Sequence, residues 1–78
     1  MTEFKWVRLI EDDISTHPEI YTEIIFIDEC GEKYIGEACS WDEYYPEISH
    51  FDSKSLTSCL FLDKVSHWSY IPEVSDEN

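Results

Sequence analysis

The sequence has few of the residues that build tight loops and little positive charge. Of 78 residues, two are glycine and three are proline, and five Lys or Arg face 18 Asp or Glu. Two glycines leave little material for strained nucleophile elbows or phosphate-cradling loops. The net charge of −13 repels nucleic acid and anionic membranes. A direct partner is therefore expected to be a basic protein surface or metal ions.

Cysteine usage and the lack of long apolar runs indicate a cellular compartment. The chain has an odd number of cysteines, Cys30, Cys39 and Cys59, and no two of them form a CxxC motif. No apolar leader occupies the first residues, and the longest apolar run is far shorter than a membrane span. From these absences we expect a cytoplasmic protein with reduced thiols.

Neither a metal centre nor a catalytic centre is predicted. The three histidines and the cysteines lack the spacing of zinc ligands, and the acidic run at residues 11–13 lacks the glycine and terminal glutamate of a calcium loop. His67 and Trp68 are neighbours in a predicted strand, so they point to opposite faces and cannot share a pocket. We therefore expect no enzymatic activity, no metal and no cofactor.

Twelve aromatic residues make a packed core feasible in so short a chain. A domain of this size buries only about 60% of its unfolded surface, so its core must be rich in large side chains. Acidic disordered chains, in contrast, are poor in aromatics. We expect one domain over residues 1–72 and a frayed acidic tail over residues 73–78.

Residues 21–39 have the clearest structural signature, that of a β-hairpin. Asp28 and Gly31 suit a three-residue loop in which Gly31 takes the left-handed position. One face of the hairpin then carries Ile24, Phe26, Tyr34 and Ala38. The predicted opposite pairs are Phe26–Tyr34, Ile25–Ile35, Ile24–Gly36 and Glu23–Glu37. The last pair places like charges together, which suggests either a functional site or a register shifted by one residue.

The remaining segments are predicted around this hairpin. Residues 4–10 form a first strand with Trp6 as core anchor, residues 14–20 form a loop pinned by Ile14 and Ile20, and residues 65–71 form the last strand. Residues 40–52 are an irregular excursion or an edge strand. Residues 53–63 fit a short helix or turn ending near Leu60, which is slightly favoured, or a strand beginning at Leu60. The sequence thus predicts a mainly β or small α+β fold: one antiparallel sheet of about four strands on a central hairpin, with at most one short helix.

Three segments of the chain match the pattern of a known family. They are Trp6-Val7-Arg8-Leu9, the hairpin runs Ile24-Ile25-Phe26-Ile27-Asp28 and Tyr34-Ile35-Gly36, and Val65-Ser66-His67-Trp68-Ser69-Tyr70-Ile71-Pro72. The chain resembles small phage and prophage proteins of unknown function that close on a Val-Thr-His-Trp-Met-Pro-Leu-Pro type motif. It departs from them at residues 69–71 and in its acidity. The resemblance implies a small β-rich domain of mobile-element origin and no catalytic residues.

The carboxylates taken together indicate a binding function. Alternate residues of a strand lie about 6.7 Å apart, close to two of the roughly 3.4 Å phosphate steps along one DNA strand. We expect a surface that imitates a phosphate row, with exposed aromatics as anchors. Its predicted residues are Glu11, Asp12, Asp13, Glu23, Glu37, Trp41, Asp42, Glu43, Tyr44, Tyr45 and Glu47.

Two functions are compatible with such a surface. The first is an acidic phage-encoded inhibitor, a DNA mimic of the anti-CRISPR or anti-restriction type, that occupies the basic nucleic-acid-binding surface of a host nuclease. The second is a non-enzymatic interaction or regulatory module, monomeric or a homodimer, that offers a hairpin edge to a partner strand and uses its charge only for solubility. Salt dependence separates them, because only the first binds by charge.

Overall fold

The structure, a computed structural model, describes residues 3–42 and 47–72, which form one antiparallel sheet of six strands. The strands are β1 Val7–Arg8, β2 Ile24–Asp28, β3 Lys33–Cys39, β4 His50–Ser53, β5 Leu60–Phe61 and β6 Val65–Tyr70. Their spatial order is β1-β6-β2-β3-β4-β5, and every neighbouring pair is antiparallel. Two 3₁₀ turns, Ile14–Thr16 and Leu62–Lys64, complete the elements. The mainly β prediction with one antiparallel sheet is confirmed, but six strands replace the predicted four.

The hairpin has the predicted register. Phe26 lies opposite Tyr34, Ile25 opposite Ile35, and Ile24 opposite Gly36. Gly31 has φ +89°, the left-handed conformation expected in the three-residue loop. Both hairpin strands are interior, since β6 flanks β2 and β4 flanks β3. The edges of the hairpin are therefore largely covered, β2 along its whole length by β6 and β3 from Gly36 to Cys39 by β4.

The turn of the hairpin is organised by one carboxylate. Asp28 Oδ1 accepts hydrogen bonds from the backbone N–H groups of Cys30 (2.8 Å) and Glu32 (2.9 Å), and Tyr34 donates its hydroxyl to Oδ2. The hydrogen bond from the Glu32 backbone is the main reason that the pKa of Asp28 lies below its ordinary value of 3.8. The ionised form of Asp28 thus stabilises the folded hairpin.

We expect this stabilisation to disappear in acid. A carboxylate whose pKa is lowered by folding contributes stability above its unfolded pKa, and the contribution is lost as the pH falls through the folded pKa. Asp28→Asn keeps an acceptor oxygen but removes the titration. The difference in urea midpoint between the native chain and Asp28→Asn should therefore shrink from neutral pH to about pH 3. A difference that stays constant over this range would contradict the assignment.

The core lies on one face of the sheet. Ile24, Phe26, Ala38 and Phe51 are fully buried, and the Phe26 ring lies 5.2 Å from that of Phe51. Tyr34, at 5.6 Å from Phe26, is half-buried beside them. The predicted core face of the hairpin is thus confirmed. Leu9, Ile48, Leu56 and Leu62 from the connecting segments pack onto this cluster.

The first strand and its loop differ from prediction in which side chains face inward. Val7 lies opposite the core residue Trp68, and Leu9 is buried. Trp6 is therefore not the core anchor; it is 39% exposed and stacks on Phe4 at 5.5 Å. In a strand, an error of one residue exchanges the two faces.

The loop over residues 10–20 is held to the sheet through a hydrogen bond to its own backbone. Trp68 donates its indole N–H to the Thr16 carbonyl at 2.7 Å, and Pro18 is buried. Ile14, predicted to pin this loop, is instead 69% exposed, while Ile20 is half-buried. A hydrogen bond from Trp68 on β6 thus holds the loop in place of the apolar contact that was predicted for Ile14.

The segments after the hairpin also differ from prediction. The region 40–52, expected to be irregular or an edge strand, contributes β4, which is interior because it pairs with both β3 and β5. Of the slightly favoured short helix or turn ending near Leu60, the helix is wrong; residues 54–55 form a turn, and Leu60–Phe61 is a strand, as the alternative proposed. The predicted last strand is confirmed as Val65–Tyr70. The predicted acidic tail, residues 73–78, lies outside the described residues.

Candidate acidic binding surfaces

A groove rich in carboxylates lies beside the loop that covers the core. We call it the loop groove; it encloses about 510 Å³. Its carboxylates come from three parts of the chain: Glu11 and Asp12, Glu19, and Glu47. Its remaining lining residues are Ile14, His17, Pro18, Ile20, Ile48 and Leu62. No lysine or arginine is among them, so the described lining combines carboxylates with apolar side chains.

The shape of the loop groove follows from local hydrogen bonds. The Asp13 carboxylate accepts from the backbone N–H (3.1 Å) and hydroxyl (2.7 Å) of Ser15, which caps the 3₁₀ turn. The same hydrogen bonds lower the pKa of Asp13. His17 donates Nε2–H to the Ile10 carbonyl at 3.0 Å. Asp13, a predicted binding residue, thus holds the loop and does not line the groove.

A second acidic groove lies over strands β3 and β4. We call it the sheet groove; it encloses about 690 Å³ and is lined by Glu23, Ile35, Gly36, Glu37, Asp52, Ser53, Lys54 and Ser55. Glu37 lies directly opposite Asp52 in the sheet. Glu23 and Glu37 line the groove together, but the observed like-charge pair is Glu37–Asp52. The sequence missed this pair because β4 was not predicted as an interior strand.

One end of the sheet groove borders an unreactive thiol. Cys39 lies opposite His50, and both are buried. Burial, followed by the nearby charges of Glu37 and Asp52, raises the pKa of Cys39 to about 11. The thiol therefore remains protonated at neutral pH and is a poor nucleophile.

The predicted aromatic anchor is only partly described. Trp41 is 69% exposed; its ring is tilted over that of His50 at 4.7 Å and meets Phe61 edge-on at 6.0 Å. Asp42 is exposed and donates its backbone N–H to the Ser40 hydroxyl. Neither residue lines a groove described above. Glu43, Tyr44 and Tyr45 lie outside the described residues.

The structure therefore divides the predicted site into separate groups. Glu11, Asp12 and Glu47 meet in the loop groove, and Glu23 and Glu37 meet in the sheet groove. Sequence reasoning missed Glu19 and Asp52. The step from Phe51 to Asp52, a large apolar residue followed by a carboxylate, was the available signal for an outward-facing Asp52.

Within residues 3–42 and 47–72, no three or more His, Cys, Asp or Glu side chains are arranged to hold a metal ion. The same part of the chain contains no helix with the length and apolar character needed to cross a membrane. The chain matches no family model, no curated protein and no solved structure.

Proposed function

We propose that this protein is a non-enzymatic inhibitor that binds the basic nucleic-acid-binding surface of a host protein. The observation that carries the proposal is the loop groove, where Glu11, Asp12, Glu19 and Glu47 surround one depression without an intervening lysine or arginine. Together with the net charge of −13, this cluster would steer the protein toward positive surfaces.

Local clustering matters more than total charge. At physiological ionic strength, exposed charges separated by more than about 8 Å are largely screened from each other. Carboxylates around a single groove act on a partner's side chain together, whereas the same number scattered over the surface would not. The arginines and lysines that hold DNA phosphates also suit carboxylates, and arginine can bind them bidentately.

The apolar lining residues supply a contribution that charge alone does not. Ile14 is 69% exposed, and Ile20 and Ile48, which line the same groove, are half-buried. Arginine and lysine bury their aliphatic stems on apolar surfaces while keeping the charged head in a polar environment. A groove lined by both carboxylates and isoleucines therefore matches a cationic side chain in both of its parts.

The resemblance to phage proteins suggests the kind of partner. A phage product with this surface would act in the host cytoplasm on a defence nuclease, such as a CRISPR effector or a restriction enzyme, and compete with DNA for its channel. The predicted anchors Trp41, Tyr44 and Tyr45, with Asp42 and Glu43, would extend the contact beyond the groove.

The test compares two variants of equal charge. The groove variant carries Glu11→Gln, Asp12→Asn, Glu19→Gln and Glu47→Gln. The control carries Glu3→Gln, Glu29→Gln, Glu32→Gln and Asp63→Asn, all at exposed positions that line neither groove. Each is titrated against a purified CRISPR effector nuclease and a purified restriction endonuclease, at low and high salt and with duplex DNA as competitor.

We expect the groove variant to lose at least about tenfold in affinity, or roughly 1.4 kcal/mol, and the control about threefold or less. Affinity should fall with added salt, and duplex DNA should displace the protein. Equal losses in the two variants, or simultaneous binding of protein and DNA, would refute the proposal. Affinity that is insensitive to salt would favour the interaction module instead.

A further inference from the structure

The sheet face opposite the core carries isoleucines at its centre. Residues directly opposite each other in an antiparallel sheet share a face, so the pair Ile25–Ile35 and the neighbouring Ile27 all point away from the core. Ile35 is 56% exposed, and Ile25 and Ile27 are half-buried. A sheet face left to water normally presents polar side chains on its central strands. We call these three residues the isoleucine patch.

Charges of opposite sign lie on either side of the isoleucine patch. The same cross-strand register places Arg8, His67, Ile27 and Lys33 in one row across the sheet. Glu37 and Asp52 form a row beyond the patch. Lys33 and Glu37 are four residues apart on β3, so the rows are separated by roughly 13 Å with Ile35 midway. The face is basic on one side, apolar in the middle and acidic on the other.

We propose that this face binds a second copy of the same chain. In this dimer the two sheets stack face to face, and the twofold axis lies between them, perpendicular to the strands. Rotation about this axis reverses the strand direction of the second copy. Ile35 of each copy then meets the isoleucine patch of the other, and Lys33 of each copy lies over Glu37 of the other. The charge pattern is therefore complementary to itself, as an interface between identical surfaces requires. Stacked sheets at about 10 Å would bury the isoleucines.

The dimer should be weak and should respond to salt in an unusual direction. A face of six short strands covers roughly 600 Å² per copy, at the low end of specific interfaces. Two chains of charge −13 repel each other, and added salt screens this long-range repulsion more than it weakens the buried isoleucine contact. Self-association should therefore strengthen with salt, opposite to the salt dependence expected of the loop groove. The loop groove lies on the other side of the sheet and would stay open in each copy.

The test is sedimentation equilibrium of the full chain over roughly 10 µM to 1 mM protein at low and high salt. Ile35→Lys places two lysines together at the axis and should weaken dimerisation at least about tenfold. Ile10→Lys is the matched control, because Ile10 is similarly exposed (47%) and is not part of the isoleucine patch. Circular dichroism confirms that each variant is folded.

A charge exchange tests the orientation of the two copies. Lys33→Glu and Glu37→Lys should each weaken the dimer, and the double variant should restore it, since the paired signs are complementary again. Restoration supports the face-to-face arrangement. A chain that is monomeric throughout, or equal effects of Ile35→Lys and Ile10→Lys, would overturn the proposal.

Discussion

Gly36→Ala should destabilise the protein by about 3 kcal/mol, a large fraction of the total stability of so small a domain. A Cβ atom at this position would lie 1.8 Å from the backbone carbonyl oxygen of Asp52 and 2.9 Å from its carbon. Neither is the end of a flexible side chain, so strands β3 and β4 must move apart. The hydrogen bond from the Ser53 hydroxyl to the Ile35 carbonyl, 2.7 Å long, would be disturbed with them. Urea unfolding measures the effect.

Gly31→Ala is the matched control, because a side chain at this second glycine is unfavourable for a different reason. A Cβ at Gly31 meets nothing within 4 Å, but φ is +89°. The cost there is conformational, about 1–2 kcal/mol. We therefore expect Gly36→Ala to be clearly the more harmful. Equal losses would show that crowding between β3 and β4 is not the cause.

Trp68→Ala should have a comparable or larger effect, about 3–5 kcal/mol. Trp68 is 4% exposed, lies between Val7 and Phe26 in the sheet, and contacts Tyr70 edge-on at 4.8 Å. Its indole N–H also provides the hydrogen bond to the Thr16 carbonyl. Removing the ring leaves a cavity and releases the loop that carries much of the loop groove.

Trp68→Phe separates these two roles. Phenylalanine keeps most of the apolar volume but leaves the Thr16 carbonyl without its donor, at a cost of about 1–3 kcal/mol. The variant should remain folded by circular dichroism, yet bind a basic partner less tightly because the loop is less ordered. Unchanged affinity for the nuclease, together with a lower urea midpoint, would show that the tether stabilises the domain without shaping the groove.

The parts of the fold that could be predicted are those encoded over a few residues. Asp28 and Gly31 define the turn of the hairpin, and the turn determines every pair of β2 with β3. The first strand has only two residues, so alternation could not decide between Trp6 and Val7 as the inward side chain. Strand β5 is equally short, so it shows no alternation of apolar and polar residues from which a strand could be predicted.

The candidate site was less predictable because no local pattern contains it. Net charge is visible in the sequence, but its distribution depends on tertiary structure. Glu47 joins Glu11 and Glu19 only because the segments that carry them lie against the same cluster of core residues. The sequence gives no reason to distinguish Asp13 from Glu11, but in the structure the Asp13 carboxylate accepts hydrogen bonds from Ser15. The choice between a binding carboxylate and a capping one is made by hydrogen bonds.

The position of β6 has a consequence for the order of folding. Among the described residues this strand comes last in sequence, yet it lies between β1 and β2 and pairs with both. Strand β1 therefore has no neighbour until residues 65–70 are available, and its contact with Trp68 closes a loop of about sixty residues, a slow step by contact order. On the ribosome, β2, β3 and β4 can associate early, but β2 keeps an exposed edge until β6 emerges. The sheet is completed only after residues 65–70 have been synthesised.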